Sequence, residues 1–265
     1  MKIKADFHNH PEGNFGQVVD IATRNLENGI LGYINTAKTT HYEEFLKTID
    51  YDVRNLKNAI ETKQGLSIIR GQEIPTILSD GKIGEIVILG LKENLPINQK
   101  LEETLIRAQG EGGRIYGPHL FLPDSIGEEL KRNPKLMGYF DALEVYNSQA
   151  GLFDGLKFFN PNKKAQEFYD EFIKKDLDIG AFSSTDRGGI GRSYSMVNSL
   201  DLKDSDTLLD SLKKELRNHK DISLDQQTPL RLAALMHSAK VLTFDKVLAN
   251  IPYLNDWLKK KELIH

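Results

Sequence analysis

The 265-residue chain contains no cysteine. That excludes disulfides and thiolate metal ligands, so any transition metal must be held by imidazole and carboxylate groups. Long hydrophobic runs are missing as well: none approaches the roughly 20 apolar residues that a membrane-spanning helix needs. The opening residues MKIKADFHNH hold no long apolar stretch and no small-residue cleavage site. The expectation is therefore a cytoplasmic protein with no membrane partner. Charge of one sign is not in large excess. A net charge of −3 argues against an extended nucleic-acid surface while leaving room for a local basic pocket. Internal repeats, low-complexity tracts and a Gly-rich phosphate turn are also lacking. Phe7 leads into HNHPEGNFG and not GxGxxG, which disfavours a doubly wound dinucleotide-binding sheet.

What is present is an alternation of short β-rich segments with helical patterns. The strands expected are Ile3 to His8, Leu31 to Thr36, Leu66 to Ile74, Glu85 to Leu91, Arg114 to His119, Ala142 to Asn147 and Asp178 to Ser184. Helices are expected over Gln17 to Asn28, Glu43 to Gln64, Gln99 to Gly110, Ser125 to Asn133 and Asn162 to Lys175, where apolar residues recur at three- and four-residue spacing. Seven β units joined by helical crossovers suggest a parallel sheet closed into a barrel. Beyond Gly191 the texture changes: Arg192 to Leu200 reads as an edge strand, Thr207 to Asn218 as an amphipathic helix, and Pro229 to Leu263 as helical. The chain divides on this reading into a βα barrel over 1–200 and a helical cap or packing extension of the same domain over 201–265.

In a parallel barrel, ligands and catalytic groups gather where the strands end in the C-terminal direction. The first strand ends in His8-Asn9-His10, the third in Glu73, the fifth in His119, the sixth in Glu144 and Asn147, and the seventh runs into Asp186. His41 follows the second strand. On an extended segment His8 and His10 point to one side, because strand side chains repeat every two residues. A carboxylate such as Glu73 can bridge two cations, and two metals roughly 3.5–4 Å apart can clamp both oxygens of a displacement at phosphorus. Imidazoles and carboxylates suit Zn²⁺, Mn²⁺ or Fe. Glu144 is better placed to orient a ligand histidine than to touch a metal.

The segments ADFHNH, GQEIP around Glu73, GPHLFLP around His119, ALEVYN and SSTDRGGIG around Asp186, with the loop residue His41, resemble the ordered motifs of the polymerase and histidinol phosphatase (PHP) family over about residues 3 to 200. The resemblance implies an α/β fold, a distorted seven-stranded TIM-like (βα) barrel with clustered metals, and a metal-dependent phosphoesterase. It also implies a ligand set of His8, His10, His41, Glu73, His119 and Asp186. The departures from the family are specific. Only Glu12 stands where an aspartate usually follows the first histidine pair, Thr40 stands where an aspartate precedes His41, and Arg187 and Gly188 follow Asp186 where the family has Asp-x-His. These losses fall on the family's third metal, so two tightly held cations are expected and the third is weak or absent.

The resulting mechanism has His8, His10, Glu73 and Asp186 around one metal, and Glu73, His119 and His41 around the second. A metal-bridging hydroxide attacks a phosphate ester. Asp186 orients it, and His41, if it is not a ligand, protonates the leaving group. Arg187 and Arg192 are assigned the phosphoryl oxygens, because a guanidinium fork binds phosphate bidentately. The expected partner is a small-molecule phosphate ester. Two alternatives stand beside this reading. One is an amidohydrolase-type enzyme, which also has His-x-His after its first strand but wants a lysine or another bridging group in place of Glu73. The other is a degenerate, non-catalytic PHP module that binds metal or a partner.

Overall fold

Alternating apolar residues in KIKADFHN make the first strand, β1 (Lys2–Asn9), whose Ala5 and Phe7 are buried among aromatic neighbours. The computed structural model describes residues 2–10, 15–27, 29–36, 41–48, 54–55, 59–63, 65–148, 150–153, 159–173, 177–186, 195–198, 209–211 and 214. After β1 come α1 (Phe15–Leu26), β2 (Ile30–Asn35) and α2 (His41–Thr48). Two short strands, β3 (Arg54–Asn55) and β4 (Ala59–Glu61), precede the long β5 (Ser67–Ile77) and β6 (Ile83–Leu89). The chain continues through α3 (Leu101–Gly110), β7 (Arg114–Gly117), α4 (Gly127–Arg132), β8 (Ala142–Asn147), α5 (Pro161–Phe172), β9 (Gly180–Ser184) and β10 (Ser195–Asn198). Asn160 caps α5, its side chain accepting from the Lys163 N–H at 3.0 Å just ahead of Pro161, an arrangement that satisfies an otherwise orphan donor.

The strands lie side by side in the order β10-β1-β2-β5-β6-β7-β8-β9, and seven of them form a nearly closed barrel with helices around it. The sheet is mixed where an all-parallel one was expected. β1, β2 and β5 run parallel, as do β7, β8 and β9, but β6 pairs antiparallel with both β5 and β7. Chain length explains the reversal. A parallel crossover needs about a dozen residues, whereas Leu78 to Lys82 only turns, with the Leu78 N–H donating to the Lys82 carbonyl at 2.8 Å and Gly81 at a φ of +80°.

The other difference lies in the expected helix Glu43 to Gln64. Helix α2 covers only its start, and Ala59 to Glu61 instead pairs antiparallel with Ser67 to Ile69 of β5. Ile60, opposite Ile68, is buried there, so edge pairing and burial override a weak helical preference. The edge strand expected over Arg192 to Leu200 appears as β10, antiparallel to β1. Residues 209–211 and 214 of the expected helix Thr207 to Asn218 are helical. The helix read over Pro229 to Leu263 lies outside the described residues.

Inside the barrel Phe7, Tyr116 and Phe182 form a triangle with ring centroids 5.8, 6.1 and 5.3 Å apart, with Val87 buried in the same cluster. Each stands one to four residues before a polar residue of the barrel mouth, so this apolar plug sits one layer below the site. Removing one such ring typically costs about 3–5 kcal/mol. Gly32 lets β2 approach β1, because a Cβ there would stand 2.4 Å from the Phe7 carbonyl oxygen.

The seam between β1 and β9 is closed largely by side chains. Asp6 accepts from the Thr185 N–H at 3.2 Å, the Thr185 hydroxyl at 2.5 Å and the Asn9 amide at 3.0 Å. A register irregularity between Asp6 and Asn9 lets these two side chains meet, which strict two-residue alternation would forbid. Beyond them the Asp186 N–H donates to the His8 carbonyl at 2.8 Å.

Candidate metal centre

The donors come from the end of β1, from β5 and from the segments just past β7 and β9. His8 and His10 close β1, and their Nε2 atoms stand 3.0 Å apart. The Nδ1 of His10 faces the Ile34 carbonyl at 3.3 Å, and a bond there places the proton on Nδ1 and frees Nε2 as a ligand. Asp186, two residues past β9, and His119, two past β7, both lie in the left-handed backbone region, with φ of 53° and 27°. Neither is a glycine, and strain of this kind is held at functional sites by the surrounding structure.

A cation with ligands at about 2.0–2.2 Å puts neighbouring donors about 2.8–3.6 Å apart. The observed spacings lie in that range. Asp186 Oδ1 is 3.3 Å from His8 Nε2 and 3.5 Å from His10 Nε2. Glu73, half-buried on β5, offers Oε2 to His10 Nε2 at 3.2 Å, and Oε1 to His119 Nε2 at 3.2 Å and to His8 Nε2 at 3.4 Å. The donors form two overlapping groups, His8-His10-Asp186 and His8-Glu73-His119, each with all its donor atoms within 4.8 Å of one another. Each oxygen of Glu73 thus turns toward a different histidine, which is the posture a bridging carboxylate takes.

Burial alone would push the His8 and His119 imidazoles down. The carboxylates of Asp186, Glu144 and Glu73 around His8, and of Glu73 and Asp186 around His119, reverse this, leaving His8 well above the usual histidine value and His119 at about 9. Burial likewise works against the charge on Glu73, yet His10, His119 and His8 hold it well below the usual carboxylate range. Without a cation these buried groups balance one another with protons, and a divalent ion can take the protons' place.

Glu144 supports the site from behind. Its Oε2 accepts the His119 N–H at 2.5 Å and the Asn147 amide at 3.1 Å, its Oε1 accepts the Ser184 hydroxyl, and His8 Nδ1 lies 3.7 Å away. Asn147 also donates to Asp186 Oδ2 at 3.0 Å, which leaves Oδ1 facing the histidines. Glu144 belongs to neither donor group, and its bond to His119 is to the backbone N–H.

Five residues of the sequence-read set, His8, His10, Glu73, His119 and Asp186, converge. His41 opens α2, which is anchored by the Tyr42 N–H donating to Asn35 Oδ1 at 3.1 Å; the side chain of His41, and the whole of Glu12, Arg187 and Arg192, lie outside the described residues. Sequence reading missed Glu85, whose Oε2 is 3.6 Å from His119 Nε2. It sits near the start of β6, and only the antiparallel direction of that strand brings a strand's beginning to the mouth.

No family model matches the chain. An uncharacterised protein of Methanocaldococcus jannaschii is 29% identical over 164 residues, covering 60% of this chain and 62% of that protein. The lesion-specific endonuclease PfuEndoQ from Pyrococcus furiosus is similar in structure, with a TM-score of 0.57 and 16% identity over 84% of this chain and 58% of its own. Endonuclease Q in complex with a 27-mer duplex carrying an abasic lesion at the active site gives a TM-score of 0.52 at 14% identity, over 80% of this chain and 57% of its own. The shared feature is the fold, an α/β barrel consistent with that of PHP domains. The chain spans about three fifths of the length of each of these proteins.

These neighbours correct one expectation. The expected partner was a small-molecule phosphate ester, and the net charge argued against an extended nucleic-acid surface, whereas the barrel is shared with an endonuclease seen on a DNA duplex. Net charge is a sum over the whole surface, and a phosphodiester backbone needs positive charge only where it is held and cut. Among the described residues no helix is long and apolar enough to cross a membrane.

Proposed function

We propose that the chain is a metal-dependent phosphoesterase of the PHP type that hydrolyses a phosphodiester of a nucleic acid. The observation that carries the reading is the posture of Glu73 between two imidazole groups, with Asp186 completing the first donor set. The same observation disfavours the amidohydrolase alternative, since a glutamate stands where that pattern wants a lysine or another bridging group. The substrate class is supported by the fold shared with endonuclease Q.

The donor set fits divalent cations of the Zn²⁺, Mn²⁺ or Fe class, two of them. His8, His10, Asp186 and Glu73 would hold the first, and Glu73 and His119, with His41 as the further ligand that the family resemblance implies, the second. When bound, such cations supply Lewis acidity to the phosphoryl oxygens and make water acidic enough to act at neutral pH. Asp186, steadied by Asn147, orients the attacking water. His41, if it is not a ligand, carries a proton to the leaving oxygen, and Arg187 and Arg192 offset charge on the phosphoryl group.

The test pairs metal analysis with a substrate panel. Purified protein loaded with Mn²⁺ or Zn²⁺ is assayed on labelled single-stranded, duplex and abasic-site oligonucleotides, and on p-nitrophenyl phosphate. The expected result is metal-dependent strand cleavage that a chelator abolishes. Turnover of the small phosphomonoester alone would overturn the nucleic-acid assignment, and a protein that takes up neither cation would overturn the whole reading.

A further inference from the structure

Among the described residues Glu85 is a carboxylate at the barrel mouth that lies outside both donor groups. It follows from the β5–β6 pairing that its side chain belongs there. Glu73 lies opposite Val87, and Pro75 lies opposite Glu85. Residues opposed across an antiparallel pair share a face, as do residues two apart along one strand. Val87 is fully buried in the barrel interior, so Glu73 and Glu85 occupy diagonal positions on the inward face.

The backbone holds Glu85 there from two sides. The Thr76 hydroxyl donates to the Gly84 carbonyl at 2.8 Å, and the Glu85 N–H donates to the Asp124 carbonyl at 2.9 Å. Asp124 belongs to the same loop as His119, so the two side chains are fixed relative to one another. Glu85 Oε2 lies 3.6 Å and Glu73 Oε1 3.2 Å from His119 Nε2. Both distances fall within the roughly 2.8–3.6 Å expected of neighbouring ligands on one ion. Among the described residues no lysine or arginine lies within ion-pair distance of Glu73 or Glu85. The two carboxylates therefore share the His119 imidazole; Glu73 also faces His8 and His10, whereas among the described residues His119 is the one cationic partner within ion-pair distance of Glu85.

We propose that Glu85 is a ligand of the second cation, forming with Glu73 and His119 a carboxylate-rich set on the β6 side of the mouth. This rests on the two-cation reading of the site and adds to it a preference. Two carboxylates and one imidazole are a harder set than the histidine-rich first one, so the second position discriminates less against Mn²⁺ relative to Zn²⁺ than the first does. The Glu85 side chain is 30% exposed, which leaves the second ion open on one side to water or a phosphoryl oxygen.

The test is Glu85→Gln, read by Mn²⁺ stoichiometry and by the electron paramagnetic resonance spectrum of the loaded protein. Wild type is expected to bind two Mn²⁺ per chain with an exchange-coupled signal. Glu85→Gln is expected to keep one, uncoupled, with the second weakened about a hundredfold or more. Glu85→His serves as the rescue, because an imidazole can ligate where an amide barely can, and it should recover a second ion with the Zn²⁺ over Mn²⁺ ratio raised above that of wild type. Two coupled Mn²⁺ of unchanged affinity in Glu85→Gln would overturn the inference and leave the proposed function standing. A wild type that binds neither ion would overturn both.

Discussion

Glu73→Gln is the substitution that separates a bridging carboxylate from a merely nearby one. The side chain is nearly isosteric and 13% exposed, and the β5–β6 ladder around it is unaffected, so the fold should persist. What changes is charge. A unit charge pair at about 4 Å and an effective dielectric constant of about 20 interacts by about 4 kcal/mol. At about 1.4 kcal/mol per tenfold, that is about a thousandfold in affinity. The loss should fall unequally. The first cation retains His8, His10 and Asp186, all within 3.5 Å of one another, and should weaken by only about tenfold, as when a supporting group is removed. The second retains His119, with His41 and Glu85 proposed beside it, loses the carboxylate that ties it to the first, and should take most of the thousandfold. Metal titration by calorimetry, with kcat/KM measured at the same metal concentrations, reads both numbers. The variant should bind one ion and lose activity at least a thousandfold, with far-ultraviolet circular dichroism unchanged. Two ions at wild-type affinity, or kcat/KM within tenfold of wild type at matched occupancy, would refute the bridge.

The metal-free protein should lose stability as pH rises from about 5 to 9. His119 titrates at about 9 against an ordinary 6.5, so its contribution is complete below 6.5 and lost as pH passes 9. Glu85, raised by burial and then by the Glu73 charge to about 8 from 4.5, acts with the same sign, whereas the lowered Glu73 and Glu144 contribute above the acid range and lose their effect only on acidification. For His119 the full span is on the order of 3 kcal/mol, counted once for the coupled network, or very roughly 5–10 °C in Tm. A chelated sample whose Tm rises over this interval, measured by scanning calorimetry, would contradict the site's electrostatics. Glu144→Gln should weaken metal binding about tenfold to a hundredfold and cost about 1–3 kcal/mol of stability through unsatisfied donors; unchanged metal affinity on titration would limit Glu144 to a role in the core. Arg187→Ala and Arg192→Ala should each lower kcat/KM about tenfold to a hundredfold with bound metal unchanged. Normal kinetics in both would remove the arginines from the phosphoryl site, and lost metal would point to collapse of the loop.

Much of this protein is written in its linear order. The absence of cysteine restricts any metal to imidazole and carboxylate ligands, and the alternating β and helical segments select a barrel. His8, His10, Glu73, His119 and Asp186 could be picked out because in βα units the catalytic residues stand at strand ends, a position that local patterning reveals. What the sequence could not convey is strand direction and pairing. Five residues between β5 and β6, Leu78 to Lys82, force a hairpin, and the hairpin reverses β6 so that Glu85, near a strand's start, reaches the metal donors. The β4 segment is likewise a strand only because the edge of β5 is there to pair with it. The partner belongs to the same class of unknowns: net charge averages over a surface, while the field that holds a phosphodiester is set by a few groups brought together across the barrel mouth. The 3.3 Å between residues 8 and 186 arises from closing the sheet on itself, and the 3.6 Å between residues 85 and 119 from the pairing of β6 with β7. That closure depends on the Asp6–Thr185 contact and on the plug of Phe7, Tyr116 and Phe182, which are packing relations between residues far apart in the chain.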